Sequence, residues 1–282
     1  MLSIWQMRSL NNLYRNHPLN AEAILARVGK NRRGGTNRIT ERDLAEDPKT
    51  QITDQNHVGG SRFVTGLAND AQVSAESKVL DLGSGLGGPA RVLSWQYQCW
   101  VHGIDASKER CRDARKLTKL VGLQRHVTFT CGDFLTLRVP DGKFDVIWGQ
   151  GAWNHVRDKN RFLSRWMPAL RIGGRIALEE SIICHKPTKL RETQLLRKLS
   201  RTWRAYLVSR DEWFNVLRHN GCSITFSRDL SRQMFRECGR MLSASATIPG
   251  YPRSEREAIG YTRELLEEGV LGYIRIVAER GE

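Results

Sequence analysis

The stretch Val79-Leu80-Asp81-Leu82-Gly83-Ser84-Gly85-Leu86-Gly87-Gly88-Pro89-Ala90-Arg91-Val92 constrains this chain more than any other. Val79, Leu80 and Leu82 make a short apolar run that reads as a buried strand. Gly83, Gly85, Gly87 and Gly88 follow, and Pro89 stands where a helix can begin. Glycine is needed where a backbone must turn sharply and let a ligand come close. The helix start beyond it leaves N–H groups free for that ligand. The spacing is G-x-G-x-G rather than the dinucleotide fingerprint G-x-G-x-x-G, which makes a nicotinamide-dependent dehydrogenase the weakest reading.

A second strand, Trp100 to Asp105, ends in a carboxylate 24 residues after Asp81. An acid at that place can hydrogen-bond both hydroxyls of a ribose. The competing role is a plain cap for the helix that begins near Ser107. Strand and helix then alternate. Ser107 caps a helix whose stripe is Cys111, Ala114, Leu117, Leu120 and Val121; His126 to Cys131 and Phe144 to Trp148 read as strands. A helix over 157–171 contains Pro168, which predicts a kink or an early end. Gly173-Gly174 turns into a strand at Arg175 to Glu179, and further strands are expected at Ser223 to Ser227 and Tyr273 to Ala278. The expected fold class is α/β: a Rossmann-like, seven-stranded, mostly parallel sheet with helices on both faces.

Four ordered segments, D-L-G-S-G-L-G-G, G-I-D, G-D-F and F-D-V-I-W, resemble the motifs of class I S-adenosylmethionine-dependent methyltransferases over about residues 55–180. L-D-L-G-S-G-L-G-G-P-A-R and W-G-Q-G-A-W-N-H are most similar to small-molecule enzymes of the sarcosine/dimethylglycine and tocopherol methyltransferase types. The resemblance implies S-adenosyl-L-methionine as cofactor. It places Asp81, Gly83 and Gly85 by the methionine part, and Asp105 with Ala106 at the ribose. Asp133 would meet the adenine amino group, Phe134 would pack the ring, and Gly149 and Gln150 would lie under the sulfonium and carboxylate. Trp153 and His155 would face the reaction, with Glu180 or Glu179 orienting the imidazole of His155 as its general base. Trp153 would serve either as a cation–π partner or as packing for a lid. The family usually carries an acid where this chain has Gly151, so no carboxylate can assist from there. His102, inside the second strand, reads as structural, whereas the resemblance places His57 with Thr53-Asp54-Gln55-Asn56-His57-Val58-Gly59-Gly60 over the cofactor.

Three regions follow. Residues 1–75 form an N-terminal helical segment closing over the cofactor, 76–180 the cofactor-binding core, and 181–282 helical lid insertions plus the last two strands. Within the first, Asn20 caps a helix that Gly29 ends, Thr40 and Asp43 make a capping box, Lys30 to Gly35 is a loop, and Phe63, Val64, Leu67, Ala68 and Ala71 mark a helix face. A long amphipathic helix carries Leu195, Leu196, Leu199, Trp203, Tyr206 and Leu207, and Ser209 with Glu212 caps the next one, which Gly221 ends. Between the last two strands, where a plain class I core has a short hairpin, lie residues 229–271, a helical insertion.

Charge keeps a second function in view. The chain of 282 residues carries a net charge of +15, and 186–240 holds thirteen Lys or Arg against five Asp or Glu. Such a surface attracts nucleic acid, anionic lipid or an acidic small substrate, or is simply solvated. A nucleic-acid methyltransferase acting on base amines would carry Asn or Asp, two prolines and an aromatic after the fourth strand; here Gly149-Gln150-Gly151-Ala152 stands there, so nucleic acid is disfavoured. A catalytically silent cofactor-binding partner subunit is the third reading. The expected partner is a small-molecule methyl acceptor of acidic character, and a homodimer is a candidate assembly. No apolar run suits a membrane span. Six scattered cysteines without C-x-x-C spacing argue against zinc, so no metal is expected, and point to reduced thiols in a cytoplasmic protein. The first 21 residues lack acids and contain Arg8 and Arg15, as a transit peptide would, but they lack a secretory apolar core.

Overall fold

The computed structural model describes residues 19–31, 39–45, 57, 59–138, 144–248 and 250–282. The first 18 residues, most of the 30–35 loop and most of the 53–60 segment lie outside the described residues. In chain order the elements are α1 (Ala21–Asn31), α2 (Glu41–Ala45), α3 (Gly60–Asp70), β1 (Lys78–Leu82), α4 (Gly88–Tyr97), β2 (Trp100–Asp105), α5 (Lys108–Leu120), β3 (Val127–Cys131) and β4 (Phe144–Gln150). They continue with α6 (Lys159–Trp166), β5 (Leu170–Ile183), α7 (Leu190–Trp203), α8 (Arg210–His219), β6 (Cys222–Asp229), α9 (Ser231–Ser245), α10 (Arg253–Glu267) and β7 (Leu271–Arg280).

The seven strands form one sheet in the order β3-β2-β1-β4-β5-β7-β6, parallel except for β7, which runs antiparallel to β5 and to β6. Apolar residues on both faces of the central strands bury the sheet from two sides. Val79, Val146, Trp148, Ala177 and Val277 meet Val64, Leu67 and Ala68 of α3 and Ala90 and Leu93 of α4. Leu80, Ile147, Ile176, Leu178 and Ile276 meet Phe162 and Trp166 of α6 and Trp213 and Leu217 of α8. The strand order reverses between β1 and β4, and the crevice outside their carboxyl ends is where open α/β sheets take ligands. No helix among the described residues is long and apolar enough to cross a membrane.

Several local expectations give way to tertiary contacts. α1 runs through Gly29 to Asn31 instead of stopping, although Asn20 Oδ1 does accept the Ala23 N–H at 2.9 Å as its cap. The helix expected over 157–171 is the shorter α6 followed by a 3₁₀ turn, Met167–Ala169, with Pro168 at the break. Gly173 (φ +70°) and Gly174 lie inside β5 rather than before it, in a register shift opposite Phe144/Val146. Tyr206 and Leu207 fall outside α7, which ends at Trp203 with the left-handed Arg204 (φ 50°) as its cap. There the Tyr206 N–H donates to the Asn154 carbonyl at 2.7 Å and its own carbonyl accepts from Lys159 Nζ at 2.8 Å, so the backbone is committed elsewhere.

The N-terminal helices are fastened by polar groups that composition would put on the surface. The Ala21 N–H donates to Asp113 Oδ2 of α5 at 3.0 Å. Arg91 Nε lies 3.2 Å from Glu41 Oε2, both side chains buried. Arg91 also donates to the Leu86 carbonyl and to Thr118 Oγ1, so one guanidinium joins α2, α4, α5 and the glycine turn. Leu86 in turn packs with Ile24, Leu44 and Leu117. Breaking a buried pair strands a charge, while replacing both partners with apolar groups does not. Arg91→Met alone should therefore cost about 3–5 kcal/mol in urea unfolding, and Arg91→Met with Glu41→Leu should recover most of that loss.

Candidate functional site

The glycine turn folds as its spacing requires. Gly83 (φ +92°), Gly85 (φ +54°) and Gly87 (φ +74°) all take left-handed backbone. A Cβ on Gly83 would lie 2.4 Å from the Ala152 Cβ, so that glycine lets the loop after β4 close against β1. A Cβ on Gly85 would meet nothing within 4 Å, so its outer side is open. Pro89 sits in the first turn of α4, and Ser107 caps α5 by accepting the Arg110 N–H at 3.3 Å.

Two acids converge on this turn. Asp105 Oδ2 accepts the Gly85 N–H at 2.9 Å and Oδ1 the Ser107 N–H at 2.9 Å, so its carboxylate holds the turn and the start of α5 together. Both amides, and Arg110, favour its charged form, but burial outweighs them and raises its pKa. Asp81 is 2% exposed, and burial first, then the nearby Asp105, pushes its pKa up to about 8. Asp81 Oδ2 and Ser84 Oγ are buried with no protein hydrogen-bond partner. Buried polar atoms of this kind are normally satisfied. A cationic group bearing N–H donors would answer both the orphaned oxygens and the repulsion between the acids. The expected cofactor, whose methionine end carries an ammonium and a sulfonium, fits this cradle.

The remaining expected cofactor residues ring the same strand ends. Ala106 is half-buried between Asp105 and Ser107. Asp133 Oδ1 accepts the Leu135 N–H at 2.8 Å and shapes the turn after β3. The Phe134 ring is 9% exposed and tilts against Phe162, with ring centroids 5.2 Å apart, so most of it serves the core. Gln150 ends β4 opposite Glu179. Its Nε2 donates to Glu179 Oε2 at 2.9 Å and its Oε1 accepts from Trp148 Nε1 at 3.2 Å.

The expected catalytic group is arranged differently from the sequence-based reading. Glu179 and Glu180 are adjacent on β5 and point to opposite faces of the sheet. Glu179 turns to Gln150 and Arg275. Glu180 Oε1 accepts the Trp153 N–H at 2.7 Å, and the amides of Asn154 and Ala152 also favour its charge; burial nonetheless raises its pKa to about 7. Glu180 thus clamps the 3₁₀ turn Trp153–His155 by its backbone, and the expected carboxylate–imidazole pair is not formed. The His155 ring is hydrogen-bonded to the backbone at Arg204 and Trp203, and burial lowers its pKa to about 4. Trp153 is fully buried: Nε1 donates to the Leu82 carbonyl at 3.0 Å, and the ring meets Phe162 edge-on and lies against Trp213. It also covers Gly149, where a Cβ would come within 2.3 Å of the indole, so Trp153 is a wall of the core rather than a cation–π partner. His57 stands over Gly151 (φ +67°), its Cβ 3.8 Å from where a Gly151 Cβ would be.

Two buried cations carry no sequence signal of their role. Lys159 looks like a solvated helix residue, yet it is 3% exposed, with Nζ donating to the Val156 and Tyr206 carbonyls; burial lowers its pKa to about 8 against the pull of Glu180 and Glu212. Arg275 lies in an apolar strand and donates to Glu179, to Asp70 and to the Phe63 carbonyl.

With this geometry in place, known proteins sharpen the assignment. Residues 79–174 match the family described as "Methyltransferase domain". A glycine/sarcosine/dimethylglycine N-methyltransferase from Actinopolyspora halophila is 31% identical over 133 residues, 47% of this chain; the chain spans about a quarter of that relative (23%). A 27-O-demethylrifamycin SV methyltransferase from Amycolatopsis mediterranei is 25% identical over 83% of this chain and 85% of its own. The crystal structure of geranyl diphosphate C-methyltransferase from Streptomyces coelicolor A3(2), in complex with Mg2+, geranyl-S-thiolodiphosphate and S-adenosyl-L-homocysteine, superposes with a TM-score of 0.76 over 99% of both chains at 15% identity, a likeness of fold.

Burial of Asp81 carries a cost that depends on pH. Its folded pKa, about 8, lies above the ordinary 3.8, so the native chain holds a proton that the unfolded chain releases. Stability therefore falls as pH rises between those values, and the cost is fully present above about pH 8. Asp81→Asn should stabilise the ligand-free protein by about 1–3 kcal/mol at pH 8, with the gain fading toward pH 4, in denaturant unfolding across that range.

Proposed function

We propose that this chain, whose core belongs to the class I S-adenosylmethionine-dependent methyltransferases, transfers a methyl group to a small-molecule acceptor of acidic character. The observation that carries the reading is a pair of acids, the buried Asp81 and the part-buried Asp105, converging on an open left-handed glycine turn, with Asp81 Oδ2 and Ser84 Oγ unsatisfied. A cation-bearing ligand relieves both features, and the turn allows its close approach.

S-adenosylmethionine supplies an electrophilic methyl group when bound. The residues of the chain have a simple task, because an in-line displacement at carbon builds little new charge. They must align acceptor and methyl group and keep water out. Asp81 and Ser84 would hold the ammonium end, Asp105 and Ala106 the ribose, Asp133 and the edge of Phe134 the base, and Gln150 the floor beneath the reacting centre. Trp153 walls the site from the core side, and Glu180 positions that wall by fixing the turn that carries it. The N-terminal helices and the helices of 181–282 would serve as the cover; α1 and α2 already pack on Leu86 of the glycine turn. The excess of basic residues in 186–240 supports an acceptor of acidic character.

His155 is the proposed proton acceptor where the acceptor must lose a proton. Burial keeps its imidazole neutral far below pH 7, which is the form a base needs.

Two measurements test the reading. Asp105→Ala should weaken S-adenosylmethionine binding by about 1.5–3 kcal/mol in calorimetry, and an unchanged affinity in the folded variant would remove Asp105 from the ribose. His155→Ala should lower turnover about 10²-fold or more with cofactor affinity kept, and the wild-type profile should show no inflection from this group between pH 6 and 9. Wild-type turnover in that variant would leave alignment alone as the mechanism.

A further inference from the structure

A second concavity lies on the α3 side of the sheet, toward the β6 edge. Its volume is about 370 Å3, and Arg62 of α3, Arg228 of β6, Arg236 and Arg240 of α9, and Arg275 of β7 line it with a single carboxylate, Glu237. Five guanidinium groups around one cavity are expensive to assemble unless something neutralises them, because like charges at short range repel.

The arginines are not equivalent. Arg275 is the floor, 5% exposed, with its donors already directed to Glu179, Asp70 and the Phe63 carbonyl. Glu237 is shared by two others, Arg62 at 2.9 Å and Arg240 at 2.5 Å. Arg228 stacks over Phe226, 5.1 Å from the ring centroid, which fixes its direction without neutralising it. Among the described residues no carboxylate is recorded against Arg228 or Arg236. The cavity thus keeps a surplus of positive charge after every internal pairing. Leu230 and Gln233, at the start of α9, also line it; that helix end is itself met by Asp229, whose Oδ1 accepts the Ser231 N–H at 2.7 Å, so the surplus rests on the guanidinium groups.

We propose that this cavity is a binding site for a small polyanion of the phosphate or diphosphate class. Planar guanidinium groups match phosphate oxygens in bidentate fashion, and several converging on one point suit an ion with more than one negative charge. Concavity favours a small ligand over a nucleic-acid backbone, which needs a track of charges along a surface. None of the glycine-turn residues lines it, and the proposal does not depend on methyl transfer.

The test uses the whole protein and inorganic pyrophosphate as probe, with calorimetry at low ionic strength. Saturable binding is expected, weakened at least about tenfold by Arg228→Ala with Arg236→Ala. Both side chains are exposed, so the variant should keep its fold and its affinity for S-adenosylmethionine. Glu237→Gln should act in the opposite sense and tighten pyrophosphate binding, since it removes the one carboxylate that lines the cavity among the described residues. No saturable binding at millimolar pyrophosphate, or an affinity that neither variant changes, would overturn the proposal. A short RNA that binds more tightly than pyrophosphate, and is lost in the double variant, would overturn it in favour of a nucleic-acid surface.

Discussion

One guanidinium holds the upper part of this molecule together. Arg275 pairs with Glu179 across the β5–β7 ladder and reaches Asp70 and the Phe63 carbonyl on α3. Glu179 in turn accepts from Gln150 at the end of β4. A charge this deep is tolerable only because its donors find three acceptors on two elements, β5 and α3, at once. The room for it comes from Gly66, where a Cβ would lie 2.6 Å from the guanidinium nitrogens. The network fixes Gln150 at the end of β4 and gives the arginine cavity its floor in Arg275.

Charge burial recurs at each point where the site must be rigid. Glu41 and Arg91 tie the N-terminal helices to the glycine turn, Glu180 fixes the turn carrying Trp153, and Lys159 fastens that region to the segment after α7. Asp81 differs in place rather than in kind: its Oδ2, with Ser84 Oγ, is unpaired beside the open glycine turn, whereas the unpaired Glu180 Oε2 lies behind the Trp153 turn.

The positions of chemistry-bearing residues were legible where spacing fixes backbone. The strand ends carrying Asp81, Asp105 and Gln150 come together because a parallel sheet with a reversal at β1 and β4 brings those ends to one crevice. The direction of side chains was less so. Glu179 and Glu180 both end the visible apolar run of strand five, and only the pleat decides that one turns to Gln150 and the other to the Trp153 backbone. The expected partnership of Glu180 with His155 failed at that step.

The sequence by itself determined the αβ alternation, the glycine turn, the cap at Ser107, the Ser209–Glu212 capping box and the early end of the helix at Pro168. All are local: they follow from dihedral preference and from hydrogen bonds spanning a few residues. The tertiary structure alone decided the end of α7, the burial of Trp153, Lys159, Arg91 and Arg275, and the gathering of arginines from α3, β6, α9 and β7 around one cavity. Those outcomes rest on contacts between residues far apart in the chain, Arg275 with Phe63 and Asp70, Trp153 with Leu82, Glu41 with Arg91. Neither periodicity nor motif spacing records which distant group will come to satisfy a buried charge.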